Sequence, residues 1–190
     1  YLPQNIILEP DLSSASYFFA ASAIAKRKST IENISQSSLQ ADLHFLEILD
    51  RMNCKIDWEN NSVTVWGNEL KGIYVDCNHC PDIVPTLAIV AAFANSETEI
   101  TNVAHLRHKE SDRIAVLARE LRKIGTEVIE RKDGLKIIPH KTHFATIYPE
   151  NDHRIAMSFA VAGLRIPNLE IINADCVNKS FPDFWGEFLQ

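Results

Sequence analysis

Apolar residues fall into three long, nearly unbroken blocks, and each block is opened by an aspartate. Asp11 precedes residues 12–25, Asp82 precedes residues 83–94, and Asp152 precedes residues 153–164. A segment that is apolar on every side predicts a helix buried all round, not an amphipathic surface helix. Each block is followed by a short β-like segment ending in Asn plus a small or apolar residue, at 30–34, 99–103 and 170–174. A polar patch then leads to a second helix start, at Asp42, Asp112 and Asp183. The three sets of landmarks recur at offsets of 69 to 71 residues, which marks a threefold internal repeat.

The second helix of a unit carries a different pattern. In the middle unit Ile114, Leu117, Leu121 and Ile124 recur at three- and four-residue spacing, with Arg119, Glu120, Arg122 and Lys123 between them. Gly125 stands where a helix C-cap belongs. A hairpin is predicted next, from 127–131 and 135–138 around Lys132-Asp133-Gly134, because Asp-Gly favours tight turns. The first unit has the matching pair, 55–58 and 62–66, around Glu59-Asn60-Asn61. The repeating unit is therefore β-α-β-α-β-β. The expected fold class is α+β, three such units around buried helices in a single domain over 1–190. The units span about 5–68, 72–140 and 145–190. The third is incomplete: its second helix is expected over 182–190 and its hairpin is absent.

The 190 residues are 46% hydrophobic and 23% charged, a soluble globular composition with enough chain for one sizeable core. The first residue is Tyr1, so the natural start is expected to lie upstream. The longest apolar run, 83–94, suits a buried helix and is too short to span a membrane, and no secretory signal pattern is visible. The net charge of −6 argues against a nucleic-acid partner. Basic residues nonetheless crowd the stretch from Arg107 to Lys123. With Glu110, Asp112 and Glu120 interleaved, that stretch reads as a solvated helix face of mixed charge.

Cys54, Cys77, Cys80 and Cys176 are too few and too scattered for a disulfide framework. Cys77 and Cys80 form a C-x-x-C, but no second ligand pair completes a zinc site, and no metal is expected. A redox pair would sit between a strand and a helix, as this one does, yet the following Asp82 opposes thiolate formation. The cysteines read as buried and reduced, in an intracellular protein.

Helix N-termini present unpartnered N–H groups and a positive dipole end, so they attract anions. The repeat puts charged residues at several of them: Lys109, Glu110 and Arg113; Asp152, His153 and Arg154; Lys179; and Asp82. Arg113, Arg154 and Lys179 suit a compact polyanion, because guanidinium binds carboxylate or phosphate bidentately and Lys adds a point charge. Glu110 among these cations has two readings. It is a helix cap in a salt-bridge network, or it is a general acid/base beside an anion site.

Five motifs carry a resemblance over nearly the whole chain. His108-Lys109-Glu110-Ser111-Asp112-Arg113-Ile114 and Asn151-Asp152-His153-Arg154-Ile155-Ala156-Met157 resemble the K-E-S/T-D-R and N-D-H-R-M/I-A-M signatures of the 5-enolpyruvylshikimate-3-phosphate synthase family. Residues 11–18 are similar to its D-x-S-S-A-S-Y-F run, 78–82 to N-H-x-P-D, and 178–184 to its K-S/T-F-P-D-Y/F end motif. The resemblance implies one domain, the C-terminal half, of a two-domain enolpyruvyl transferase fold with its active site in the cleft. The missing N-terminal domain is the implied partner. The implied reaction joins the enolpyruvyl group of phosphoenolpyruvate to the 5-hydroxyl of shikimate-3-phosphate, with no cofactor. The implied whole enzyme is monomeric and cytoplasmic, or plastid-located in a plant, and this half alone is expected to be inactive.

Residue by residue, Asp82 resembles the carboxylate at the shikimate 5-hydroxyl and Glu110 the group that moves a proton at the methylene carbon. Lys109 resembles the lysine bridging both substrates. Arg113, Arg154 and Lys179 resemble the phosphoenolpyruvate clamp, where glyphosate also sits. His105 departs from the pattern, standing where many members place an asparagine that faces shikimate. Two alternatives are a transferase acting on UDP-N-acetylglucosamine, whose motifs fit less well, and a non-catalytic anion-binding domain.

Overall fold

The computed structural model describes residues 8–189. Its centre is three apolar helices packed against one another: α1 (Leu12–Ala25), α3 (Val84–Ala92) and α5 (His153–Gly163). All nine residues of α3 are buried, which explains why no polar face interrupts its sequence. Asp11 caps α1 by accepting from the Ser13 and Ser14 N–H groups, and Asp152 caps α5 by accepting from Arg154 N. Asp82 breaks this pattern. It lies inside a 3₁₀ turn, Pro81–Ile83, that precedes α3, and its side chain makes no cap.

Where the three helices meet, one hydroxyl from each repeat joins a short chain. Ser16 Oγ lies 3.2 Å from Thr86 Oγ1, which lies 3.4 Å from Ser158 Oγ. All three residues are buried. Ser16 Oγ also donates to the carbonyl of Ser13 at 2.6 Å.

The strands form an outer layer of three small sheets. In the first unit β1 (Lys28–Glu32), β2 (Lys55–Glu59) and β3 (Ser62–Trp66) run antiparallel in the order β1-β3-β2. They pack with α1 and with α2 (His44–Arg51), while Asp42 lies in a 3₁₀ turn, Ala41–Leu43, just before α2. The second unit has the full β-α-β-α-β-β order, adding β4 (Tyr74–Asp76), β5 (Thr98–Thr101), α4 (Arg113–Lys123), β6 (Glu127–Arg131) and β7 (Gly134–Ile138) around α3. Its sheet order is β4-β5-β7-β6, with β4 and β5 parallel. In the third unit β8 (Thr146–Ile147) and β9 (Glu170–Ile171) form a parallel pair, followed by α6 (Phe184–Phe188). The opening strand of unit one, expected from about residue 5, falls partly on residues outside those described, as does Gln190 at the end of the last expected helix.

The Asn landmark has a backbone cause. Asn33, Asn102 and Asn173 have φ of 62°, 61° and 53°. Each takes the chain out of its strand in the left-handed region, which asparagine tolerates better than other side chains with a Cβ. The strands accordingly end before the Asn, two or three residues earlier than the sequence pattern indicates. Gly125, at φ 96°, follows the last turn of α4 as expected.

The stretch from Arg107 to Lys123 is not the solvated face its composition indicates. Arg113 is 1% exposed and Glu120 is fully buried. Glu120 accepts from Arg119 Nε at 2.6 Å, from Lys123 Nζ at 2.8 Å and from the Tyr148 N–H at 3.0 Å, so its burial is compensated.

Candidate active site

A 3₁₀ turn, Ala104–His108, leads from β5 into the start of α4, and Lys109 and Glu110 follow it directly. Arg107 fixes this turn to the β6–β7 hairpin. It donates to Glu130 Oε1 at 2.9 Å and to the carbonyls of Arg131 and Lys132, and it holds Asp112 at 2.9 Å. Asp112 in turn caps α4 by accepting from Ala115 N at 3.0 Å. The helix therefore opens at Arg113, and Lys109 and Glu110 stand before it, not in its first turn.

Arg113 is the centre of the arrangement. Its Nε donates to Asp152 Oδ2 at 2.8 Å, one terminal nitrogen to Asp82 Oδ1 at 3.1 Å, and the other to Glu110 Oε2 at 2.7 Å. These three carboxylates come from residues far apart in sequence. Asp152 is fully buried and also accepts from Ser111 Oγ at 3.1 Å. Asp82 accepts from Arg154 at 3.1 Å and lies 3.7 Å from Lys109 Nζ. Glu110 accepts from Lys179 Nζ at 2.8 Å.

Lys109, Arg113, Arg154 and Lys179 thus face Asp82, Glu110 and Asp152, four cations against three carboxylates. The cluster grades from buried to open: the Arg113 side chain is 1% exposed, that of Arg154 17%, and that of Lys179 58%. The Lys179 hydrogen bond, assisted by Arg113, holds the Glu110 carboxyl down to about 2 against the opposing effect of partial burial. Such a carboxylate is ionised at neutral pH and can take a proton only when those cations are drawn elsewhere.

Aromatic packing places Lys179. It ends a 3₁₀ turn, Ala174–Lys179, and Trp185 Nε1 donates to the carbonyl of Ala174 at 3.3 Å. Phe184 is fully buried, edge-on to Tyr17 at 5.8 Å and stacked on Phe188 at 5.0 Å. The short last helix is anchored on α1 in this way.

Of the sequence-derived candidates, the structure brings together Asp82, Lys109, Glu110, Arg113, Arg154 and Lys179. It leaves His105 apart. His105 lines a separate hollow of about 620 Å³ with Asp76, Asn78, Asn102 and Asp133, and none of the seven cluster side chains borders that hollow. Four residues at the cluster stand in the sequence motifs without a role assigned to them there: Asp152 as an Arg113 partner, Ser111, His153 and Tyr17. His153 is 4% exposed, its Nδ1 has no partner, and burial pushes its pKa down. A charged or polar residue inside an otherwise apolar block is the one signal that could have flagged His153 and Tyr17.

Cys77 and Cys80 are free and buried, the Cys77 N–H bonded to the Thr101 carbonyl and the Cys80 N–H to the Cys77 carbonyl. Among the described residues no group of His, Cys, Asp and Glu is placed to hold a metal ion, and no helix is long and apolar enough to cross a membrane.

Comparison with known proteins adds independent observations. A family model for EPSP synthase (3-phosphoshikimate 1-carboxyvinyltransferase) matches residues 2–188. The chain is 47% identical over 190 residues to the 3-phosphoshikimate 1-carboxyvinyltransferase of Methanospirillum hungatei, covering 98% of this chain and 44% of that protein. It is 49% identical over 187 residues to that of Syntrophobacter fumaroxidans, covering 95% and 44%. Among solved structures, EPSP synthase from Acinetobacter baumannii superposes with a TM-score of 0.84 at 32% identity, over 93% of this chain and 44% of that one. The enolpyruvyl transferase NikO from Streptomyces tendae shares the fold, with a TM-score of 0.73 at 19% identity over 97% of this chain and 43% of that one. The chain spans a little under half the length of the curated relatives it matches.

Proposed function

The chain belongs to the EPSP synthase family, and from that premise we propose that it is the C-terminal half of an enzyme that moves the enolpyruvyl group of phosphoenolpyruvate onto the 5-hydroxyl of shikimate-3-phosphate, releasing phosphate. Residues 1–190 act as one domain of three repeated units, and an N-terminal domain closes the cleft from the other side. The whole enzyme works as a monomer without cofactor. It acts in the cytoplasm, where highly charged phosphorylated metabolites are retained.

The observation that carries this reading is the position of Glu110, 2.8 Å from Lys179 and 2.7 Å from Arg113. An anion that competes for those two cations also releases the carboxylate they hold. In the reaction, the 5-hydroxyl oxygen adds to the central carbon of the enol phosphate while Asp82 takes its proton. Glu110, which takes up a proton from solvent once the substrate anions have drawn its cations away, gives that proton to the methylene carbon. In the second step that carbon returns a proton to Glu110 as the carbon–oxygen bond to phosphate breaks, and the proton held by Asp82 leaves with the phosphate. Lys109, Arg154 and Lys179 hold the phosphate and carboxylate charge throughout, with Arg113 behind them, which lowers the cost of building it up. Fixing both substrates against these groups supplies much of the rate, so the 190-residue chain alone is inactive. His105 reaches shikimate-3-phosphate from its own hollow.

Titration calorimetry on the full-length enzyme tests the clamp. Lys179→Ala removes one charge-assisted contact of about 1.5–3 kcal/mol. Phosphoenolpyruvate affinity should then fall roughly tenfold to a hundredfold, with shikimate-3-phosphate unaffected. Equal weakening of both ligands contradicts the assignment.

A further inference from the structure

The C-x-x-C has no part in the proposed chemistry, yet the fold sets it directly against the site. It fills the gap between β4 and the 3₁₀ turn that carries Asp82. The Cys80 N–H donates to the Cys77 carbonyl at 3.2 Å, closing a turn over Asn78 and His79. A turn of this kind brings its first and last Cα within about 7 Å, close to the separation that a disulfide bridges. Both side chains are buried, and neither is in a disulfide. Asn78 and His79 are exposed and border the hollow of about 620 Å³, so a molecule the size of water reaches the turn that covers the sulfurs.

Asp82, two residues further on, opposes a thiolate only while its charge is free. Here that charge is taken up by Arg113 and Arg154, each at 3.1 Å, and by Lys109 at 3.7 Å. The two sulfurs also bind each other. The Cys77 thiol donates to Cys80, which pushes Cys77 up and holds Cys80 below its ordinary value, against the effect of burial. Burial pushes Cys54 up to about 11 and raises Cys176 as well. One sulfur poised as the nucleophile, with a neighbour placed to resolve it, is the arrangement of a reactive pair.

We propose that Cys77 and Cys80 are a modification site, a dithiol that hydrogen peroxide closes into a disulfide. The Cys80 thiolate attacks one peroxide oxygen, the O–O bond breaks, and a sulfenic acid and hydroxide form. The Cys77 sulfur then attacks the sulfenic sulfur, the S–O bond breaks, and a second hydroxide leaves. The two thiol protons turn both hydroxides into water, and the two electrons lost by sulfur are gained by peroxide. Closing the bond draws the sulfurs from hydrogen-bond contact to about 2.05 Å. Cys80 leads straight into Pro81–Ile83, and the proline holds its own φ fixed, so the displacement passes on to Asp82. That consequence rests on the reading of Asp82 as the group that takes the proton of the substrate hydroxyl.

Peroxide treatment of the full-length protein, followed by alkylation and mass spectrometry, tests the site. The peptide that holds both cysteines should appear unalkylated and two hydrogens lighter. Turnover should fall with it by about tenfold to a hundredfold, the scale on which a shift of about 1 Å acts on an aligned active site, and return when a dithiol reductant is added. Cys77→Ala should keep its turnover in reductant and resist peroxide, whereas Cys176→Ala should remain as sensitive as the parent. Two alkylated cysteines overturn the proposal, as does oxidation of one of them beyond the sulfenic acid without a bond to the other. A disulfide that leaves turnover unchanged overturns the coupling to Asp82. If Cys77→Ala does not fold, the peptide mass from the unsubstituted protein decides the site. A reduced protein without turnover breaks the proposed function, and the peptide mass still decides the disulfide.

Discussion

The two ends of α4 bury charge in opposite ways. At its C-terminal half Glu120 is enclosed by Arg119, Lys123 and a backbone N–H, and Arg119 also reaches Glu150 at 2.6 Å. Cations and carboxylates balance there, two against two, and the remaining partners are backbone groups of Thr146 and Tyr148. About 10 Å away, two turns along a helix that rises 1.5 Å per residue, Arg113 is enclosed by three carboxylates. Two of these, Asp82 and Glu110, are shared with Lys109, Arg154 and Lys179 at a more open rim. That end has a surplus positive charge and lies against the buried His153, whose Nδ1 has no partner. A closed, neutral network stabilises the fold. A network with shared partners and leftover donors is arranged to be rearranged.

Substitutions at each end can break or sharpen this contrast. The largest effect belongs to Glu110→Gln in the full-length enzyme. The amide keeps the shape but cannot carry a proton to carbon, so turnover should fall by about 10² to 10⁴ while substrate binding changes little. Deuterium uptake from solvent water into the methylene group should fall with it. Near-normal rates for both would make the rim a salt-bridge network like the one around Glu120.

Arg113→Ala comes next. It strands Asp152 in the interior without its cation, and breaking a buried pair costs about 3–5 kcal/mol. Urea denaturation should show that loss. Arg113 would then be a structural keystone of the clamp, and a variant that kept full stability would point instead to direct ligand contact alone. Glu120→Gln should cost less, about 1.5–3 kcal/mol for its charged hydrogen bonds, because Arg119 and Lys123 can turn to water. Its calorimetric affinities should match those of the parent; a selective loss for phosphoenolpyruvate would dissolve the distinction between the two ends.

The smallest effect is in acid. The Glu110 carboxyl is lowered from its ordinary 4.5 to about 2. A depressed carboxyl contributes stability that is present above the unfolded value and lost as pH falls through the folded one. The difference in melting temperature between parent and Glu110→Gln should therefore be steady above pH 4.5 and shrink between there and pH 2. A difference independent of pH over that window would mean that Glu110 is not held by these cations.

Much of the architecture was legible because the repeat supplies three readings of each feature. The apolar blocks, the capping aspartates Asp11 and Asp152, and the Asp-Gly hairpin are local signals, and local signals survive in a single sequence. Asp82 escaped the rule because Arg113 and Arg154, 31 and 72 residues downstream, take its carboxylate. No local pattern encodes that competition. Composition misjudged the stretch from Arg107 to Lys123, since burial of Arg113 and Glu120 depends on partners that arrive from other elements. The charged members of the site were visible as motifs. Tyr17 stood in the motif at 11–18 without a role, because an apolar block announces burial but says nothing about what a buried oxygen meets.

The hydroxyls of Ser16, Thr86 and Ser158 carry a consequence for how alike the three repeats can remain. Three identical hydroxyls about a threefold axis could close a ring, each giving its hydrogen to the next. Ser16 gives its hydrogen to its own helix at Ser13, so it can only receive from Thr86, and Thr86 in turn receives from Ser158. The ring is opened into a row with a fixed direction from α5 to α1. Positions that match in the repeat are therefore chemically inequivalent: the α5 hydroxyl must give, and the α1 hydroxyl must take. A protein assembled from three copies of one unit would have no such direction: its hydroxyls would close a ring, or each would turn back to its own helix carbonyl as Ser16 does.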